Sequence, residues 1–256
     1  EDDDGAQDFA VNVAARVRAL LGDPGGELAL PVDAALRPEG RNGPIARSLD
    51  SYTQYYERWA EAWEFQALLR ARPVAGDEEL LGRFVDLIDP LRYPAGGLAD
   101  PARRELRRIK ARVEAERLPR GVPANRHLKL GRGGLADVEW TAQLLQLEHA
   151  GTVTGLRTPG TLAALAAARD AELLDAGDAD RLIEAWTLAT RFRSAIGLAS
   201  GRVTGARVDI VPHDPHQLRG AARVLGYPLE AAAELEEDYL RAARRARAVV
   251  ERVFFG

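Results

Sequence analysis

Leu28-Ala29-Leu30-Pro31-Val32-Asp33-Ala34-Ala35-Leu36 is the one stretch of this sequence that alternates like a strand. Leu28, Leu30, Val32, Ala34 and Leu36 fall on one side of an extended chain and Asp33 and Arg37 on the other, which predicts a β-strand over 28–36. Before it, Phe9, Val13, Val17, Leu20 and Leu21 recur at helical steps, and Gly22-Asp23-Pro24-Gly25-Gly26 ends that predicted helix. After it, Arg37-Pro38-Glu39-Gly40 and Gly43-Pro44 turn the chain. Helix, strand and turn read as the closing piece of an α/β unit whose remainder is not in the sequence.

Everything beyond Ser48 reads as helix. One helix is predicted from Leu49 to Arg72, carrying Tyr52, Tyr55, Tyr56, Trp59 and Trp63 and stopped by Pro73. Asp77 caps the next, with Leu80, Leu81, Phe84, Val85 and Ile88 as its stripe. Asp100-Pro101 starts a basic helix with Asp100 as its cap, Arg103 to Arg117 surrounding a seam of Leu106, Ile109 and Val113. A loop over 118–132 precedes a helix from Leu135 to Ala150, and Thr158-Pro159 opens an alanine-rich one. Long helices over Ala179–Leu198 and Glu230–Phe254 flank a short one begun by Asp214-Pro215. The expected fold is mainly α: an α/β remnant over residues 1–47, then a helical bundle over 48–256.

Composition narrows the function. A chain of 256 residues, 46% hydrophobic and 29% charged, can bury a core, and its net charge of -4 gives no overall attraction for nucleic acid. With no cysteine there is no thiolate metal site, and the four histidines lack metal-ligand spacing. No apolar run reaches membrane-span length and the acidic start Glu1-Asp2-Asp3-Asp4 is unlike a signal peptide, so the cytoplasm is expected and a membrane partner is not. The chain lacks methionine, and Glu1 reads as a cut inside a longer protein.

Three features carry candidate chemistry. Asp33 in an apolar strand either faces water or ligates a cation such as Mg²⁺, with Arg37 on the same face able to complement it or bind phosphate. Lys129-Leu130-Gly131-Arg132-Gly133-Gly134-Leu135 either brings backbone amides to an anion at a helix start or is a flexible connection; it lacks the P-loop Gly-Lys-Ser/Thr. Asp137 and Glu139 either stabilise the first turn of that helix or bind a ligand. The aromatic series from Tyr52 to Trp63 suits a core or interface better than a base-stacking platform, and the basic helix, with Glu105, Glu114 and Glu116 interleaved, suits a solvated face.

Together these blocks resemble one family. Val32-Asp33-Ala34-Ala35-Leu36-Arg37-Pro38-Glu39-Gly40-Arg41-Asn42-Gly43-Pro44, then Trp63-Glu64-Phe65-Gln66-Ala67-Leu68-Leu69-Arg70-Ala71-Arg72-Pro73, then Lys129 to Trp140 with Gln143, are similar in content and order to signatures of glutamine synthetase adenylyltransferases, actinobacterial ones above all. The resemblance implies two homologous nucleotidyltransferase halves in the whole enzyme. One removes AMP from glutamine synthetase by phosphorolysis and the other attaches it to a tyrosine, with ATP as substrate and Mg²⁺ as cofactor. The last helix, with Tyr239, Arg244, Arg245 and Phe254, resembles the end of the full-length protein and so implies the adenylylating half. Asp33 then matches the third carboxylate of the metal site, the first two lying before Glu1, which implies an inactive segment. Arg37, Arg72, Lys129, Gly131, Gly133, Gly134 and Asp137 become candidate contacts to nucleotide or target. The expected partners are glutamine synthetase and, as a regulator, the PII signal protein. The alternatives are a non-catalytic docking module for those proteins and the deadenylylating half.

Overall fold

The computed structural model describes residues 3–22, 30, 32–201 and 205–256, and over these the chain is mainly α, with ten α-helices. It divides into two compact units: Glu1–Leu68 with Pro73–Asp89, and Leu69–Arg72 with Pro90–Gly256.

In the first unit, α1 (Asp3–Leu21) forms as its spacing predicts, yet Phe9 and Leu20 are 70% and 71% exposed. Among the described residues the expected strand is not seen. Leu28, Ala29 and Pro31 lie outside the described residues; the Leu30 amide donates to the Leu21 carbonyl at 2.7 Å at the end of α1, Val32 to Ala34 are in no β-ladder, and Ala35 and Leu36 are already in a turn. A strand exists only where a second one accepts its amides. Among the described residues the one β-pairing is an isolated bridge between His127 and Ile210 in the other unit.

The predicted helix over 49–72 is two helices, α2 (Leu49–Arg58) and α3 (Ala62–Leu68), and it ends well before Pro73. No glycine or proline marks the break. The Glu64 carboxylate reaches back to the amide of Glu61 at 2.9 Å and restarts the helix there, while its other oxygen takes the Tyr55 hydroxyl at 2.7 Å. The aromatics serve as core: Tyr56 is buried between Tyr52, stacked at 6.0 Å, and Tyr55 and Phe65, while Tyr52 meets Phe84 of α4 (Glu78–Arg92) edge-on at 5.2 Å. Trp59 is the exception, at 74% exposure. Asp77 caps α4 by accepting the Leu80 amide, as expected.

The second unit is a helical bundle of α5 (Asp100–Glu116), α6 (Leu135–His149), α7 (Thr161–Asp170), α8 (Ala176–Ser200), α9 (Pro215–Val224) and α10 (Ala232–Val250), the last running into a π-turn over Glu251–Phe255. Asp100 is not the cap of α5: Ala99 holds that position, and the Asp100 carboxylate pairs with Arg103 instead. Asp175 and Asp214 do cap α8 and α9. The core is built on alanines. Ala185, Ala189 and Ala195 of α8 and Ala242, Ala243 and Ala246 of α10 are all buried, so the two backbones approach closely around Phe192 and Tyr239, which meet edge-on at 6.0 Å. Burying Phe192 fully stabilises the bundle by about 1.5–3 kcal/mol.

Candidate functional site

In the first unit the expected site residues lie on one short loop. Asp33 is exposed, and its Oδ1 accepts the amide of Ala35 at 2.8 Å, an Asx turn that fixes the carboxylate and leaves Oδ2 without a partner among the described residues. Arg37 spends its guanidinium on carbonyls of the same loop: Nη1 donates to Ala34 at 2.6 Å, Nε to Gly43 at 3.0 Å and Pro44 at 3.2 Å, and Nη2 to Gly43 at 2.9 Å and Arg41 at 3.3 Å. Its flat, five-donor fork gathers those carbonyls in a way no other side chain can. Arg37 thus shapes the loop that carries Asp33. Among the described residues no group of three or more His, Asp or Glu side chains is placed to hold a metal ion.

The remaining expected residues belong to the second unit. Arg72 and Lys129 are exposed, and neither makes an ion pair among the described residues. Gly131, Gly133 and Gly134 are buried, for a packing reason. A Cβ on Gly131 would lie 2.2 Å from the Ala124 carbonyl oxygen, and one on Gly133 would lie 1.8 Å from that of Ala243 in α10. Gly133 also has a φ of +73°, the left-handed region that glycine adopts freely.

Apart from that of Arg132, the amides of this loop are consumed internally. Gly131 donates to His127, Gly134 to Gly131, Leu135 to Leu128 and Ala136 to Lys129, all at 2.8–2.9 Å. The helix start is therefore closed from within, and the glycines bring backbones together where the anion-cradle reading wanted open N–H groups.

Asp137 is fully buried and holds the centre of the unit. Its Oδ2 accepts the Gly133 amide at 2.7 Å and Arg247 Nη1 at 3.0 Å, and its Oδ1 pairs with Lys110 Nζ at 2.5 Å. Lys110, 1% exposed, also reaches Glu114 at 2.6 Å, and Arg247 bridges Glu114 at 3.0 Å and Glu251 at 2.9 Å. Burial by itself would lower the Arg247 pKa; the hydrogen bond to Glu251, the charge of Asp137 and the bond to Glu114 outweigh it and raise it. Tyr239 is buried with its hydroxyl unpartnered among the described residues, and burial first, then the Asp137 charge, pushes its pKa up.

This cluster corrects the reading of α5 as a plain solvated face. Lys110 lies in the seam, four residues after Leu106 and three before Val113, a spacing visible in the sequence. Nothing in sequence pairs it with Asp137, 27 residues further along the chain, or with Arg247, 110 residues beyond Asp137. Glu139, beside the cluster on α6, pairs with Arg70 at 2.8 Å.

Residues 1–86 match the family described as Glutamate-ammonia ligase adenylyltransferase, and residues 104–254 match that described as GlnD PII-uridylyltransferase. Three relatives share the name bifunctional glutamine synthetase adenylyltransferase/adenylyl-removing enzyme. That of Streptomyces coelicolor is 54% identical over 98% of this chain and 25% of its own length. Those of Mycobacterium avium and Leifsonia xyli are each 53% identical, over 99% and 98% of this chain and 25% and 24% of theirs. The chain thus spans about a quarter of the length of the curated relatives it matches.

Proposed function

This chain belongs to the glutamine synthetase adenylyltransferase family, its helical unit to the family described as GlnD PII-uridylyltransferase, and we propose that within the whole protein it serves the transfer of AMP from ATP to a tyrosine of glutamine synthetase. The observation that carries this reading is the identity of more than half of its positions, along nearly its entire length, with relatives named for that reaction.

In the proposed reaction the tyrosine oxygen forms a bond to the α-phosphorus of ATP, and the bond to the pyrophosphate oxygen breaks. Mg²⁺ bound there would offset the charge of the triphosphate. This chain's part is Asp33, held by its Asx turn and with one oxygen that no described residue engages, available to a hard cation. Two ions in register need more carboxylates than the described residues bring together, and we assign the others to a part of the whole protein outside this segment. In that scheme residues 1–47 are the edge of the nucleotidyltransferase domain and residues 48–256 its helical companion. Arg37 keeps Asp33 in place. Arg72 and Lys129, exposed cations without ion pairs among the described residues, are contacts for nucleotide or target. Gly131, Gly133, Gly134 and Asp137 build the loop that presents Lys129. No described helix is long and apolar enough to cross a membrane, and we assign the reaction to the cytoplasm, where ATP is.

The test is Asp33→Asn in the full-length protein, assayed by incorporation of labelled AMP into glutamine synthetase. Asparagine still accepts the Ala35 amide, so transfer should vanish with the circular dichroism unchanged. Retained transfer removes Asp33 from the mechanism.

The match of residues 104–254 favours a second reading, in which the helical unit is a docking module for glutamine synthetase or the PII protein. Titrating the chain against both proteins separates the two: binding by this segment, with no effect of Asp33→Asn on transfer in the whole protein, favours docking. Phosphate-dependent release of ADP from modified glutamine synthetase, lost with the same substitution, would instead assign the segment to the deadenylylating half.

A further inference from the structure

Beside the buried ion cluster the second unit keeps an open cleft of about 270 Å³. Asn125 and Arg132 line it from the loop around the glycines, and Arg244, Arg247 and Glu251 line it from α10 and its continuation. Arg247 is already balanced by Glu114, Asp137 and Glu251, and Glu251 is the only acid in the lining. Arg132 and Arg244 differ from it. Both are exposed, and among the described residues neither has an ion pair or a side-chain hydrogen bond.

Two guanidinium groups without counter-charge therefore share one concavity. Each offers a planar fork of donors that matches phosphate oxygens in pairs. We propose that this cleft binds a compact phosphate dianion, either free phosphate or a phosphomonoester, held by Arg132 and Arg244 with Asn125 as a further donor. A single phosphate group, at about -1.5 to -2 charges near neutral pH, matches the two free cations. The volume lies below the roughly 300–1,000 Å³ of clefts that enclose drug-sized ligands, which argues for a small anion over a nucleoside triphosphate. Because Arg132 lies between Gly131 and Gly133, the bound anion would tie the glycine loop to α10 from outside, as Asp137 ties it from within. The site does not involve Asp33, and although Arg132 shares the glycine loop with Lys129, phosphate binding is measured without reference to the reaction proposed above.

Isothermal titration calorimetry of the 256-residue chain, with inorganic phosphate and with AMP at constant ionic strength in chloride, tests this. At least one probe should bind saturably, and whichever does identifies the source of the phosphate. Arg132→Ala and Arg244→Ala should each weaken it tenfold or more. Arg245→Ala should leave it unchanged, since Arg245 is on the same helix but pairs with Glu184 outside the cleft. Both tested arginines are exposed, and unchanged circular dichroism would certify the fold. Absence of saturable binding of either probe overturns the site, as does equal binding by the Arg132→Ala and Arg244→Ala variants or equal weakening by Arg245→Ala.

Discussion

Asp137 accepts the amide of Gly133, four residues earlier in the chain, at 2.7 Å. That one bond converts a glycine-rich connection into a fixed corner, because the same carboxylate is anchored to Lys110 of α5 and Arg247 of α10. A buried carboxylate is tolerated only when its oxygens are satisfied, and Asp137 has three donors from three directions. Removing any one of them leaves a charge that cannot reach water.

Lys110→Met isolates the electrostatic part of this arrangement, since methionine retains the buried stem and loses the charge. Breaking a buried pair by removing one partner costs about 3–5 kcal/mol. The urea midpoint of the chain, followed by circular dichroism, should fall accordingly. Adding Asp137→Asn to that variant should recover part of the loss, because asparagine still accepts the Gly133 amide and no longer needs a cation. A midpoint unmoved by Lys110→Met would show that water or Arg247 alone satisfies the site.

Two glycines with similar backbone angles separate strain from packing. Gly133 and Gly121 have φ of +73° and +80°, but a Cβ on Gly121 meets nothing within 4 Å while one on Gly133 collides with the Ala243 carbonyl. Gly121→Ala should cost about 1 kcal/mol, the price of a left-handed alanine. Gly133→Ala adds displacement of α10 and should cost roughly 3 kcal/mol or more. Equal melting temperatures for the two variants would refute the close approach.

The helices were legible because their signals are local: apolar steps of three and four, aspartate caps at Asp77 and Asp214, and the Gly133-Gly134 start of α6. The break between α2 and α3 was hidden, since it depends on which amide the Glu64 side chain chooses. Over 28–36 the described residues show no strand: alternation shows which face is apolar and says nothing about whether a neighbouring strand is present. At the site, glycines suggested phosphate, and only the partner of each amide reveals that they pack. The cluster of Lys110, Asp137 and Arg247 is a matter of tertiary distance, which no one-dimensional pattern carries.

His127 makes folding of the second unit sensitive to acid. It is buried, and its Nδ1 accepts the amides of Leu130 at 3.0 Å and Lys129 at 3.3 Å, which only an unprotonated Nδ1 can do. Burial lowers its pKa, and the charge of Asp209 opposes this without prevailing. Below about 6.5, the ordinary histidine value, the unfolded chain binds a proton that the folded chain refuses, so stability rises with pH through that window and is lost on acidification until the depressed folded value is reached. Urea midpoints at pH 7.5 and 5.5 should differ, and His127→Asn, whose side-chain oxygen can replace Nδ1 as acceptor, should shrink the difference. An undiminished pH dependence in that variant would assign it to other groups.

Arg37→Lys tests whether the loop carrying Asp33 is held by a guanidinium fork or merely by its turns. The native side chain joins the carbonyl of Ala34, next to Asp33, to those of Arg41, Gly43 and Pro44, and lysine offers three donors from a single nitrogen on a flexible stem. Charge is conserved, so any effect comes from geometry. Hydrogen exchange at the amides of Ala35, Gly40 and Asn42, which close the turns of this loop, should accelerate by about tenfold, equivalent to about 1.4 kcal/mol of local opening free energy, while the amides of α8 and α10 keep their protection. In the full-length protein, AMP transfer should fall through the turnover rate more than through the apparent affinity for ATP, because a displaced Asp33 would weaken the transition state and not the ground-state complex. Unchanged exchange together with slowed transfer would instead make Arg37 a direct contact of the reacting phosphate.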